Sequence, residues 1–238
     1  MIHIVDETRD YVLAWKDANL PTTPTPEHPD SFIGRLIRQR PELSVVNGYK
    51  SEEFGLLNRL DNLTAGLIMA AKTQQAFDHL RLELKQELWT KIYLAYCYDS
   101  GRQEKGIIDS AIAHHPHDSA RMVIAAKYKA YRGKPQPCQT VFEKISSAQA
   151  RTIWKSYLAE KIPFPEFFTS TDRFTWICCR ITRGKRHQIR LHLKTIGYPI
   201  LGDDIYKPDK KHLLEKFEHY ALYSVGFIKR QENDDFGT

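Results

Sequence analysis

The sequence predicts a mixed α and β protein of ordinary globular composition, and three observations carry that prediction. Residues 90–98 alternate between two faces as a strand does, with Ile92, Leu94, Tyr96 and Tyr98 on one face and Tyr93, Ala95 and Cys97 on the other. Residues 73–88 instead repeat Ala76, Phe77, Leu80, Leu84 and Leu88 at helical spacing behind Thr73, which opens the helix. A hydrophobic fraction of 42% and a charged fraction of 27% over 238 residues are enough for one large domain or two small ones.

The remaining elements follow in order. Tyr11 to Lys16 reads as a strand, and the prolines of residues 17–26 then forbid regular structure. Ser31 caps a short helix with Ile33, Leu36 and Ile37 on one face and Arg35 and Arg38 on another, and Pro41 stops it. Asp61 stands just before the apolar run Leu67 to Ala71, a buried strand. A carboxylate against such a core needs a charge partner or a chemical role, since burying it unpaired costs several kcal/mol. Two readings stay open there: Asp61 caps a turn and pairs with Arg59, or it serves a site. Shorter strands are expected at Gly106–Ile112, Ala120–Ala126 and Gln139–Lys144. Residues 146–171, polar, partly helical and broken by Pro163 and Pro165, read as an insertion between strands that makes a surface excursion. Phe174 to Ile181 is a strand, and a helix from about His187 to Ile196 is closed by Gly197 and Pro199.

A net charge of +6 suggests an anionic partner. The four cysteines lack C-x-x-C spacing, so neither a disulfide framework nor a zinc site is indicated, and a reducing cytoplasm fits. The first residues lack the features of a signal peptide, and no apolar run is long enough to cross a bilayer. His114-His115-Pro116-His117-Asp118 resembles a metal site only in composition, because ligand spacing is missing; a loop against phosphates is the better expectation for His114 and His115.

From Arg173 to Gly202 there is no acidic residue, while Arg173, Arg180, Arg183, Lys185, Arg186, Arg190 and Lys194 are all basic. Surfaces selected only for solubility mix signs, so this strand-to-helix corner points to a phosphate backbone. Within the helix Ile189, Leu193 and Ile196 form the inward stripe, and Arg190 lies beside it. That position lets Arg190 meet a buried carboxylate, for which Asp61 is the candidate.

These same residues resemble the motifs of the RluA-type RNA pseudouridine synthases. The family's H-R-L-D-x-x-T-S-G-L is met by Asn58-Arg59-Leu60-Asp61 and Thr64-Ala65-Gly66-Leu67, and its K-x-Y-x-A by Lys91-Ile92-Tyr93-Leu94-Ala95. Its long third motif is met by Gly184 to Leu193, Ile196-Gly197-Tyr198-Pro199-Ile200-Leu201-Gly202-Asp203 and Tyr206. Lys16 to Thr22 echoes a fourth. Asn58, Ala65 and Lys185-Arg186 depart from the family's His, Ser and Arg-Thr.

The resemblance implies an α+β pseudouridine synthase fold, a long, bent, mostly antiparallel sheet with flanking helices and a central cleft. It implies one catalytic domain over residues 1–238 without an N-terminal RNA-binding domain, and isomerisation of uridine in a ribosomal or transfer RNA. No cofactor, metal or membrane is called for, and a cytoplasmic monomer is expected. Asp61 is then the nucleophile, Tyr93 stacks on the flipped uracil and Arg190 keeps Asp61 ionised, while Arg59 fills the vacated stack. Arg183, Lys185, Arg186, His187, Gln188, Lys194, His114 and His115 are the expected RNA contacts. The alternatives are an inactive RNA-binding or RNA-remodelling protein on the same fold and, further off, a glycosidase-like hydrolase, which needs a second carboxylate.

Overall fold

A strand apolar on both faces needs cover on both sides, and residues 90–98 have it. In the computed structural model, which describes residues 1–166, 173–206 and 219–230, the strands are β1 (His3–Glu7), β2 (Tyr11–Lys16), β3 (Ala65–Ala71), β4 (Trp89–Tyr98), β5 (Lys105–Asp109), β6 (Ile112–His114), β7 (Met122–Ile124), β8 (Arg132–Gln136), β9 (Gln139–Ile145), β10 (Phe174–Ile181) and β11 (Leu222–Lys229). The helices are α1 (Phe32–Gln39), α2 (Gln74–Lys85), α3 (Ser147–Leu158) and α4 (Gln188–Thr195). Eight strands form one sheet in the order β1-β2-β3-β11-β4-β10-β9-β5, and β7-β6-β8 form a smaller one. Every pairing is antiparallel except that of β11 with β3. The fold is α+β with a large, mostly antiparallel sheet.

The period of two along β4 sorts its residues as the sequence foretells. Tyr93, Ala95 and Cys97 share a core with Phe32, Ile33 and Leu36 of α1 and Ile189 and Leu193 of α4. Ile92, Leu94, Tyr96 and Tyr98 pack on the other face with Ala150, Trp154 and Leu158 of α3. At the flank Ala76, Phe77 and Leu80 of α2 meet Met69, Ala71 and Trp89. Ser31 and Thr73 cap α1 and α2 by accepting from the Gly34 and Ala76 amides, as their positions predict.

Two expectations need correction, and one strand was not foreseen. Residues 147–158 are not a surface excursion but a core helix, because Ala150, Trp154 and Leu158 recur at i, i+4, i+8 and are buried against the sheet. The Trp154 indole N–H donates to the Ile162 carbonyl at 2.8 Å, and its ring meets that of Trp15 edge-on. Residues 167–171 of that expectation lie outside the described residues. The strand read at 106–112 is two strands, β5 and β6, which belong to different sheets. β8 was not foreseen, since Arg132 to Gln136 is largely exposed and shows no apolar alternation.

Where β3 and β11 run parallel, Ser224 is opposite Gly66. Gly66 has φ +140°, and a Cβ there would lie 2.4 Å from both the nitrogen and the oxygen of Ser224. Only glycine permits that approach, which brings the loop ending at Thr64 over β11.

Candidate active site

Asp61 is held from both sides of the chain. Thr22 Oγ1 donates to the Leu60 carbonyl at 2.9 Å and accepts from the Leu60 amide at 3.3 Å. Beyond Asp61, the Asn62 carbonyl accepts from Lys16 Nζ at 3.0 Å, and the same buried ammonium donates to the carbonyls of Asp17 and Leu20. Burial pushes the Lys16 amine down to about 8. The stretch from Lys16 to Thr22 thus fixes the Asp61 turn, a role its sequence did not announce. Asn58 ties the approach to that turn onto β3, since its Oδ1 accepts from the Met69 amide at 2.8 Å and its Nδ2 donates to the Leu67 carbonyl at 3.3 Å.

Asp61 does not pair with Arg59, which turns away to Glu53 at 2.8 Å. Arg190 donates from a terminal amine to Asp61 Oδ2 at 3.2 Å, and the Tyr220 hydroxyl donates to the same oxygen at 3.3 Å. Asp203, which sequence reasoning left without a role, is the stronger partner: Arg190 Nε and its other terminal amine donate to its two oxygens at 2.7 and 2.9 Å. Asp203 is the first acid after the basic block, the one signal that marked it. Burial disfavours the Arg190 charge, but the Asp203 hydrogen bonds and charge outweigh it and hold the guanidinium above its ordinary value. The guanidinium also lies 4.3 Å from the centroid of the Tyr220 ring.

Asp61, Arg190 and Tyr220 line a cleft of about 850 Å³ that also takes in Arg59, Lys91, Tyr93, Lys185, Arg186 and His187. Tyr93 comes from β4, and burial, reinforced by the charge of Asp61, pushes its phenol up to about 12. His187 stands before α4 with a left-handed φ of 56°, its Nδ1 3.0 Å from the Tyr206 hydroxyl and its Nε2 3.8 Å from Asp61. The Tyr206 hydroxyl also accepts from the Met122 amide at 2.8 Å and donates to the Met122 carbonyl at 3.4 Å, which fixes it beside the imidazole. Burial, helped by Arg190 and Arg186 and opposed by Asp61, lowers the His187 imidazole to about 4.

Not every expected RNA contact gathers here. Gln188 lines the cleft but is buried, with its amide donating to the Gln139 carbonyl and Thr140 Oγ1 and accepting from the Lys185 amide. That spends its polar atoms inside the fold. Arg183 lies outside the cleft, paired with Glu87 at 2.9 Å and donating to the Lys85 carbonyl. Lys194 lines a second cavity with Arg121, Lys127 and Tyr206. His114 is in strand β6 rather than a loop, and His115 Nδ1 accepts from the amides of His117 and Asp118. Among the described residues no three His, Cys, Asp or Glu side chains are grouped to hold a metal ion.

A family model described as RNA pseudouridylate synthase matches residues 10–195. The chain belongs to this family. Among relatives, the uncharacterized RNA pseudouridine synthase slr1629 of Synechocystis is 28% identical over 206 residues, covering 86% of this chain and 54% of the relative. The ribosomal large subunit pseudouridine synthase D of Nitrosomonas europaea is 32% identical over 177 residues, covering 74% of this chain and 41% of the relative. The chain spans about half the length of the curated relatives it matches. The solved structure of human RNA pseudouridylate synthase domain containing 1 superposes with a TM-score of 0.69 at 18% identity, over 94% of this chain and 76% of that one, which shows the fold. The RluA-type family resemblance read from the motifs is borne out.

Proposed function

We propose that this chain isomerises uridine to pseudouridine within a structured RNA, ribosomal or transfer, as a cytoplasmic monomer whose described residues form the catalytic domain. The observation that carries the reading is the pairing of Asp61 with a buried Arg190 in a cleft whose wall also presents the neutral phenol of Tyr93. Asp61 is the nucleophile and attacks the ribose anomeric carbon or the uracil ring. The bond from ribose to the uracil nitrogen breaks, the ring turns, a bond from ribose to carbon forms, the bond to Asp61 breaks to return its carboxylate, the proton on that carbon leaves, and the freed nitrogen takes up a proton. A base stacked in a helix cannot enter a cleft, so the uridine is flipped out at a cost of a few kcal/mol. Arg59, with 58% of its side chain exposed at the cleft, suits the vacated stack. Tyr93 lies against the uracil, and Lys185 and Arg186 meet phosphates.

Glycoside hydrolysis would need a second carboxylate flanking the scissile bond, and of the other acids that line the cleft Glu53 is held by Arg59 at 2.8 Å. The test is incubation of the protein with total cellular RNA. Pseudouridine without free uracil is the expected result. Released uracil, or RNA binding without either product, overturns the reading.

A further inference from the structure

Lys91 is the group of the cleft that this reaction leaves unused. It precedes Tyr93 by two residues on β4 and therefore shares its face, opposite Ile181 of β10. It lines the cleft and is only 8% exposed, yet no described residue gives it a hydrogen bond or an ion pair. Burial alone moves its amine, down to about 8, with no carboxylate opposing it. Lys16 is the contrast, equally buried but satisfied by three carbonyl oxygens. An unpaired buried ammonium is strongly unfavourable, so this position is costly unless something arrives to meet it.

Gly184 borders the amine. A Cβ there would lie 3.9 Å from Lys91 Nζ and 3.8 Å from Ile181 Cδ1, both ordinary contacts, and the φ of Gly184 is not left-handed. Neither packing nor backbone conformation calls for glycine. What the missing side chain does is leave open the space next to Lys91 Nζ, and the following residues, Lys185 and Arg186, line the same cleft.

We propose that Lys91 binds a phosphate group of the nucleotide held in the cleft, reached past Gly184 and flanked by Lys185 and Arg186. A base carbonyl offers the ammonium a hydrogen bond without a compensating charge, whereas a phosphate oxygen offers both. The inference rests on the preceding reading only in that the cleft receives a nucleotide. One corollary separates it from a structural role: removing the amine while keeping the stem relieves the free protein of an unpaired charge and removes its anion partner.

Inorganic phosphate, uridine 5′-monophosphate and uridine are titrated by calorimetry into the wild type and into Lys91→Met and Gly184→Leu. Both anions should bind the wild type, and uridine at least about tenfold more weakly than its monophosphate. Lys91→Met and Gly184→Leu should each lose about tenfold or more in anion affinity, the first with an unchanged Tm or one raised by a few degrees. Absence of anion binding by the wild type, unchanged affinities in Lys91→Met or Gly184→Leu, or uridine binding as tightly as its monophosphate overturns the proposal. So does a sharp fall of Tm in Lys91→Met, which makes the amine structural. None of these readouts needs turnover, so their failure leaves the isomerase reading standing, and an inactive protein with intact anion binding sinks only that reading.

Discussion

Arg190 gives two hydrogen bonds to Asp203, at 2.7 and 2.9 Å, and one to Asp61, at 3.2 Å. Asp203 is wholly buried and also accepts from the amides of Ile205 and Tyr206, whereas 29% of the Asp61 side chain is exposed. Arg190 is therefore anchored by one carboxylate so that it can serve another. Arg190→Met should cost about 3–5 kcal/mol of stability, because it strands the buried charge of Asp203. Asp203→Asn should recover more of that loss than Asp61→Asn does, in double-mutant cycles of unfolding free energy at pH 7. A larger coupling to Asp61 contradicts this hierarchy.

Asp61→Asn removes the proposed nucleophile and keeps the shape. Arg190 and Tyr220 both donate to one oxygen of Asp61, and an amide oxygen accepts from the same donors. Turnover should vanish, RNA affinity should stay within a few-fold, and stability should change by no more than about 1 kcal/mol. Measurable pseudouridine formation by an uncontaminated sample would refute the role of Asp61.

The salt dependence of RNA binding separates the basic residues. Lys185 and Arg186 line the cleft without an ion-pair partner among the described residues, while Arg183 is engaged by Glu87. Substituting Lys185 and Arg186 with alanine should lower the slope of log affinity against log salt by about one unit each, and Arg183→Ala should lower it less. Equal effects from all three positions would mean that Glu87 releases Arg183 when RNA binds.

His187 ties stability to pH. Its folded value of about 4 lies below the ordinary 6.5, so the folded protein binds the proton less readily than the unfolded chain. The stability it contributes is complete above pH 6.5 and is lost as pH falls from there through 4, roughly 3 kcal/mol in all. Asp61, Asp203, Arg186 and Arg190 are the charges that face it. In urea titrations between pH 7 and 4, His187→Gln should show a shallower loss than the wild type, and a parallel loss would show that the imidazole does not titrate in this way.

The elements legible in the sequence are those whose local chemistry is self-sufficient. β4 alternates because both of its faces are buried, and Ser31 and Thr73 cap helices through bonds that span three residues. The burial of α3 escaped, though some helix was expected there, because its apolar residues stand in an otherwise polar segment. The Asp61–Arg190 pairing was reachable because Arg190 adjoins an inward stripe and lies in a block without acids. Asp203 was not, since its pairing depends on the turn after α4 folding back over that helix. Lys16 was hidden for a related reason: its three acceptors are backbone carbonyls, which no side-chain pattern encodes.

The place of β11 also bears on how the molecule is made. β3 and β4 follow one another in the chain with only α2 between them, yet in the sheet they are separated by a strand from residues 222–229. Until that strand arrives, β1-β2-β3, which the Asp61 loop leads into, and β4-β10-β9-β5, which carries Tyr93, share no ladder of hydrogen bonds among the described residues. A ribosome-bound chain halted before residue 222 holds both parts of the cleft without the strand that sets their register. Closing the sheet means bringing together segments more than 120 residues apart, a late and slow event in assembly. The cleft is therefore aligned only once residues 222–229 have joined the sheet.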